Sequence, residues 1–337
     1  MSSNRISVII PFFNAGRYLR RCLESVVSQD FSEYEIICVN DGSTDESLSI
    51  AEEFAGRFPY VRVISQENRG LSNARNRGME VAEGEYILFA DGDDYLEKNV
   101  IGKLYNICRD RRLDMLDFRV NIVTGGGTLS MYPEVIETTG VSEGREYIIK
   151  FINEHGKQPF VSAWSHMYRR EFLVRNGLLF IDGRKYEDLV FTATAYISAR
   201  AVMYLDLPVY NYVKVQGSIT TSGISPAHIS DMQFMAEQTG RLSKVSGIRI
   251  PMDNFFSGIR NQVITALKMG KWREYRKLFD RNLFRTTEFN VYRPSFRVIY
   301  PLARVNYSIF ILYCRLTSVM KHLRLKYGLR RNRFELK

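Results

Sequence analysis

Residues Glu85–Leu96 read EYILFADGDDYL. Five largely apolar residues, Tyr86 to Ala90, run straight into Asp91, Asp93 and Asp94, three carboxylates within four positions. The apolar run reads as a buried strand. Carboxylates crowded at its end repel one another unless a cation or a set of donors sits among them. Taken alone, D-G-D-D is a polar turn after a strand, and short motifs of this kind arise by chance. The flanking sequence has to decide.

Upstream, strands and helices alternate. ISVIIPF is a β-branched run, GRYLRRCLESVVSQ carries Tyr18, Leu19, Cys22, Val26 and Val27 at helical spacing, and YEIICVN is a second strand. DGSTDESLSIAEEFA then turns into a helix that Asp45 can cap, VRVIS is a third strand, GLSNARNRGMEVA a third helix and YILFA a fourth strand. The pattern predicts an α/β fold built on a doubly wound, mainly parallel sheet. Ligands of such sheets bind beyond the carboxyl ends of the strands. The residues found there are PFFNAG, NDGSTD, QENRG and DGDD, so Asn14, Asp41, Asp45, Arg75 and the aspartate cluster converge on one edge. A dehydrogenase needs G-x-G-x-x-G after the first strand and a P-loop needs G-K-[ST]. Neither stands there.

Taken together and in this order, SVIIPFFNAGRYLRRCLESVVSQ, EIICVNDGSTDES, ENRGLSNARNRG, YILFADGDDYL, AWSHMYRREFL, YEDLVFTATAY and YLDLPVYNYVKVQGSIT resemble the inverting nucleotide-sugar glycosyltransferases of family 2, which have the GT-A fold. The resemblance runs from Arg5 to about Ser222. It implies a GT-A catalytic domain over 1–222; beyond the resemblance, the residues themselves read as a helical extension over 223–293 and a basic amphipathic tail over 294–337. Carried over by position, it places Pro11, Phe12, Asn14, Asp41 and Arg75 around the nucleotide base, Asp91 on the ribose and Asp93 on a metal, Mn²⁺ or Mg²⁺. A hard cation of that kind suits a carboxylate-plus-diphosphate site. Gly92 would leave room for the nucleotide, and Asp94 would be structural. The donor implied is a UDP-sugar and the acceptor a glycan or lipid-linked hydroxyl in surface polysaccharide biosynthesis. Some relatives carry a further metal-binding histidine near the end of the catalytic domain. YVKVQGSITTS has none, which makes for a thin protein shell around the metal.

A second carboxylate pair opens KYEDLVFTATAYISA, an amphipathic helix. From the residues alone, acids in a first helical turn complement the dipole. Position in the family pattern makes one of them the base that inverting transfer needs: Asp188, with Glu187 as the alternative, because adjacent helical residues face different ways. Two readings stand open for Trp164, a platform for an acceptor sugar or a core ring. His166 receives no role. Gln216, Ser218 and Thr220 read as a closing loop or a polar turn, and VTGGGTL as a hairpin connection.

The charge is uneven. The 337 residues carry a net +10, and from Arg285 to Lys337 there are 12 Lys and Arg against 2 Asp and Glu, leaving 35 basic and 35 acidic residues upstream. A balanced body with an acidic site argues against nucleic acid as a partner. It also weakens the alternative of a non-catalytic nucleotide-sugar or polyanion binding module. DMQFMAEQTGRLSKV, FFSGIRNQVITALKMG and WREYRKLFDRNLF read as helices. Beyond Pro294, Ile299, Leu302, Ile309, Tyr313, Leu316, Met320 and Leu323 fall on one stripe among basic residues. IFILYC is too short to span a bilayer, so the tail reads as a helix on an anionic membrane surface, or one packed on protein. Cys22, Cys38, Cys108 and Cys314 have no paired spacing and read as buried thiols, with no zinc site. The expected location is cytoplasmic, peripheral on the inner face of the membrane.

Overall fold

The computed structural model describes residues 5–125, 127–130, 140–155, 162–214, 225–279, 283 and 294–327. They fall into two compact units. One comprises Met1–Glu154 and Gln158–Ser222, the other His155–Lys157 and Gly223–Lys337.

The first unit is built on β1 (Ile6–Phe12), α1 (Gly16–Val27), β2 (Tyr34–Asp41), α2 (Ser47–Arg57), β3 (Val61–Gln66), α3 (Leu71–Val81) and β4 (Tyr86–Phe89). Every residue of β1, β2 and β4 is buried, which is why these strands read as largely apolar runs and not as alternating ones. β1 pairs in parallel with both β2 and β4, and β2 with β3. The chain continues through β5 (Tyr95–Leu96), α4 (Ile101–Arg111), β6 (Met115–Thr124), β7 (Gly127–Ser130), α5 (Gly144–His155), β8 (His166–Arg169), α6 (Arg170–Arg175), α7 (Glu187–Ser198) and β9 (Val202–Val213). The sheet order is β3-β2-β1-β4-β8-β6-β9-β5, with β7 hydrogen-bonded to β6. β8 runs antiparallel to β4 and β6, so the parallel half ends at β4, the strand that carries D-G-D-D. Thr124 pairs with Gly127, which makes the glycine-rich run a hairpin.

Helix packing fixes the strand ends. A Cβ at Gly78 of α3 would lie 2.3 Å from Ile9 Cγ2, so only glycine lets α3 approach β1 this closely. Asp45 caps two helices at once: Oδ1 accepts from the Ser47 N–H that opens α2, and Oδ2 from the Gly16 N–H that opens α1. Burial alone would raise its pKa, yet the bonds from Ser47 and Gly16 hold it below the usual range. The four cysteines are buried free thiols.

The second unit contains α8 (Pro226–Ser246), α9 (Asp253–Lys268), α10 (Trp272–Tyr275), α11 (Pro294–Val305) and α12 (Tyr307–Tyr327). Ser225 caps α8 through the His228 N–H, with proline at the first helical position, and Gly247 closes the helix at φ +72°. Phe256 gathers Phe296, Tyr300 and Phe310 around it. Two expectations change here. WREYRKLFDRNLF is helical over Trp272–Tyr275 and then tightens, the Leu278 N–H reaching back to the Tyr275 carbonyl as Tyr275 and Phe279 are buried. The tail stripe is not one helix: Asn306 ends α11 and its Oδ1 accepts from the Ser308 N–H at the start of α12.

Candidate active site

The loops after β1 and β2 are stitched together. Asn14, at φ +49°, accepts from the Thr44 N–H at 2.8 Å, and its own N–H donates to Ser43 Oγ. Pro11 and Phe12 are buried at the end of β1. Asp41, at the end of β2, is occupied by protein: Oδ1 accepts from Gln66 Nε2 and the Arg69 N–H, and Oδ2 from the Gly70 N–H, all within 2.9 Å. Its carboxylate braces the entry to α3.

Arg75 departs furthest from the sequence reading. Expected beside the nucleotide base, it is 1% exposed. Nη1 donates to Glu187 Oε1 and Nη2 to Asp91 Oδ1, each at 2.7 Å, while the guanidinium lies over the Phe180 ring at 5.3 Å. Burial opposes its charge, but Asp91 and Glu187 outweigh it and raise the pKa. Neighbouring residues of α3 grip the same distant segment. Asn76 Nδ2 donates to the Phe180 carbonyl and Asn76 Oδ1 accepts from the Phe180 N–H. Asn73 donates to Asp182, and Ser72 to the Arg184 carbonyl. The NARN sequence therefore clamps residues 180–187, the lead into α7.

The D-G-D-D turn is held from β9. The Asp91 N–H donates to Tyr210 Oη at 2.9 Å, Tyr210 donates to Asp94 Oδ2 at 2.8 Å, and the Val213 N–H donates to Asp94 Oδ1 at 2.7 Å. Asp94 is thus buried and engaged. A Cβ at Gly92 would meet Phe12 Cβ at 3.0 Å, so the glycine also lets this turn pack tightly against the end of β1. Asp93 differs from its neighbours. It is half-buried, Arg21 donates to its backbone carbonyl, and among the described residues no other side chain bonds its carboxylate. Burial, and then the Asp91 charge, push it up to about 6. Among the described residues no cluster of three His, Cys, Asp or Glu forms a metal cage. One unengaged carboxylate beside a second fits a hard divalent cation that takes its remaining oxygens from a substrate.

Glu187 and Asp188 open α7 immediately after Tyr186, which sits at φ +65°. Glu187 is buried and ion-paired to Arg75; Asp188 is half-buried and has no ion pair among the described residues. Burial raises both, opposed at Glu187 by Arg75 and reinforced at Asp188 by the Glu187 charge. Farther along α7, Tyr196 donates to Asp117 Oδ2, as does Tyr147 at 2.8 Å, and His166 Nε2 lies 3.3 Å from Asp117 Oδ1. His166 is thereby placed in a buried network that ties α7 to β6, β8 and α5. Trp164 stacks on Tyr210 at 4.6 Å and on Tyr212 at 5.4 Å and is 6% exposed, which favours the core reading of the two. Gln216, Ser218 and Thr220 lie outside the described residues. Sequence reasoning missed Tyr210, Phe180 and Asp117. The first two sit in or beside quoted motifs, but nothing local marks their partners.

Comparison with known proteins fits this geometry. A profile described as Glycosyl transferase family 2 matches residues 7–176, about half of the chain, ending before Glu187. The uncharacterized glycosyltransferase YibD of Escherichia coli K12 is 36% identical over 63% of this chain, which spans 62% of YibD, less than two thirds of its length. The cholesterol galactosyltransferase of Borreliella burgdorferi is 30% identical over 75% of this chain and 71% of its own. The crystal structure of Staphylococcus aureus TarS 1–349 with UDP-GlcNAc superposes with a TM-score of 0.64, covering 97% of this chain and 93% of that one at 21% identity, a likeness of fold. A parallel sheet edge that gathers D-G-D-D, and a family profile that runs through all of the strands forming it, lead to one conclusion: this chain belongs to glycosyl transferase family 2 and has the GT-A fold.

Proposed function

We propose that the chain transfers a sugar from a UDP-sugar to a glycan or lipid-linked hydroxyl with inversion at the anomeric carbon, in surface polysaccharide biosynthesis. The observation that carries this reading is the Arg75 bridge, which brings the D-G-D-D turn and the α7 carboxylates to one place. Residues 1–222 do the chemistry, 223–293 form a helical extension, and 294–337 hold the enzyme at the inner face of the cytoplasmic membrane. The UDP-GlcNAc named in the TarS structure supports the choice of donor.

Of the two carboxylates, Glu187 is spent on Arg75, so Asp188 is the one available to take a proton. It removes that proton from the acceptor hydroxyl as the oxygen attacks the anomeric carbon opposite the bond to the diphosphate, and that bond breaks with its electrons on the leaving oxygen. Asp91, fixed by Arg75 and Tyr210, faces the ribose hydroxyls, with Pro11, Phe12, Asn14 and Asp41 framing the base. A Mn²⁺ or Mg²⁺ ion, when bound through Asp93, supplies positive charge against the diphosphate.

The test is release of UDP from a panel of UDP-sugars with Mn²⁺ and a hydroxyl acceptor, with the product anomer read by NMR. Inverted product supports the reading. Donor binding with no turnover on any sugar and acceptor overturns it in favour of a binding module, and retained configuration overturns the role of Asp188.

A further inference from the structure

α11 and α12 each have two apolar faces. Phe296, Tyr300 and Ala303 of α11 are buried, and so are Phe310 and Cys314 of α12. Val298, Leu302 and Val305 of α11 and Leu312, Leu316 and Val319 of α12 are between 44% and 73% exposed. In α11 the exposed set repeats the i, i+4, i+7 spacing of the buried side two positions on, and in α12 Leu312 and Leu316 follow the buried Phe310 and Cys314 by two positions in the same way, with Val319 continuing the stripe. At about 100° per residue, two positions place it about 200° round the helix, on the opposite face. Six of the fourteen large apolar side chains exposed among the described residues fall within these 22 positions, so the exposure is concentrated and not scattered.

The charge beside these stripes has one sign. Residues 294–327 contain six Lys and Arg and no Asp or Glu. Arg297, Arg304 and Arg315 are exposed, and each sits one position before a stripe residue: Val298, Val305 and Leu316. Each of these three arginines is therefore turned about 100° to the same side of its stripe. An apolar face edged by arginines matches a layer that is apolar inside and anionic at its surface. Long basic side chains then reach the headgroups while the stripe enters the acyl boundary. Among the described residues no helix is long and apolar enough to cross a membrane.

We propose that the exposed faces of α11 and α12 together form a docking surface for an anionic lipid bilayer, with the enzyme lying on the membrane through two helices. The inference rests on the membrane location proposed above and names the surface responsible. It is independent of the transfer chemistry.

The experiment is flotation of the full chain with vesicles of phosphatidylcholine alone and of phosphatidylcholine mixed with phosphatidylglycerol, at low and high salt. The test variant carries Leu302→Gln, Leu316→Gln and Val319→Gln. A second, Arg315→Gln, alters charge alone. Circular dichroism and UDP affinity show that each is folded. The expected result is flotation of the wild type with anionic vesicles, weakened by salt, falling about ten-fold in the triple variant and less in Arg315→Gln. A folded triple variant that floats like the wild type overturns this surface while leaving the membrane location standing. A wild type that fails to float on either vesicle overturns both. Lipid-free self-association abolished by the triple substitution assigns the faces to a second copy of the chain and overturns the proposal.

Discussion

Arg75 and Glu187 meet at 2.7 Å although 112 residues separate them, and the other nitrogen of the same guanidinium holds Asp91 at 2.7 Å. One buried cation thus serves two carboxylates, and its charge also reaches Asp93 and Asp188, which have no ion pair among the described residues. With four carboxylates to one guanidinium the cluster is rich in acid, and a diphosphate beside it adds charge of the same sign. That imbalance is the physical argument for a divalent cation at Asp93.

Arg75→Met should cost stability as well as activity. It strips the partner from two carboxylates, one of them almost fully buried, and breaking a buried pair from one side costs about 3–5 kcal/mol. Urea denaturation at neutral pH measures this. The penalty should shrink as the pH is lowered, because the orphaned carboxylates can then take up protons and become neutral. An unchanged midpoint at neutral pH would mean that Arg75 does not hold the site together.

How far these residues were readable depended on how local their partners were. β1, β2 and β4 showed in the sequence because strands buried on both faces must be largely apolar, and D-G-D-D showed because charge directly after such a strand is conspicuous. Arg75 did not. Nothing in NARN says that its guanidinium is buried, since that depends on Phe180 and Glu187 arriving from more than a hundred positions away. Tyr210 was hidden in the same manner, its two partners lying across the sheet. The tail's helical period was legible, but the break at Asn306, and hence which apolar face is packed and which exposed, depended on tertiary contacts.

Tyr210→Phe isolates a single hydroxyl. The ring keeps its stack on Trp164, while Asp94 loses one of its two donors and the Asp91 N–H loses its acceptor. Leaving such groups unsatisfied costs about 1–3 kcal/mol. Because the turn that carries Asp91 and Asp93 loosens, the KM for donor should rise several-fold while kcat changes less. A thermal melt together with donor-saturation kinetics checks both halves, and an unaltered KM would detach Tyr210 from the site.

Asp93→Asn should leave the fold alone. No described side chain bonds this carboxylate, and burial together with Asp91 already disfavours its charge, so neutralising it removes strain if anything. Turnover should fall by roughly a hundred-fold or more, the scale on which several kcal/mol of lost charge stabilisation act. The diagnostic reading is a Mn²⁺ titration: the variant's residual rate should no longer respond to metal or to chelator. A variant that keeps the wild-type Mn²⁺ response would take the metal role away from Asp93.

Asp188→Asn is the most exposed prediction. The amide nearly matches the carboxylate in shape but cannot accept the acceptor's proton, so transfer should drop by about 10² to 10⁴ while UDP-sugar affinity stays near wild type. The pH profile carries a further signature. Burial and the neighbouring Glu187 raise the pKa of Asp188 above the ordinary carboxylate range. A base works in its deprotonated form, so wild-type kcat/KM should climb as pH rises through that elevated value and then level off. The variant's remaining rate should lack this limb. Stability should move the other way, because an acid whose folded pKa is raised favours the folded state while protonated and destabilises it as pH rises from the unfolded to the folded value. Asn, which never ionises, should therefore remove the part of the stability loss that falls between those two values, up to about pH 7, making a poorly folded variant an inadequate explanation for lost turnover. Glu187→Gln supplies the contrast: it breaks the pair with Arg75 and should lower stability as well as rate. If Glu187→Gln were stable and inactive while Asp188→Asn turned over normally, the two carboxylates would have exchanged roles.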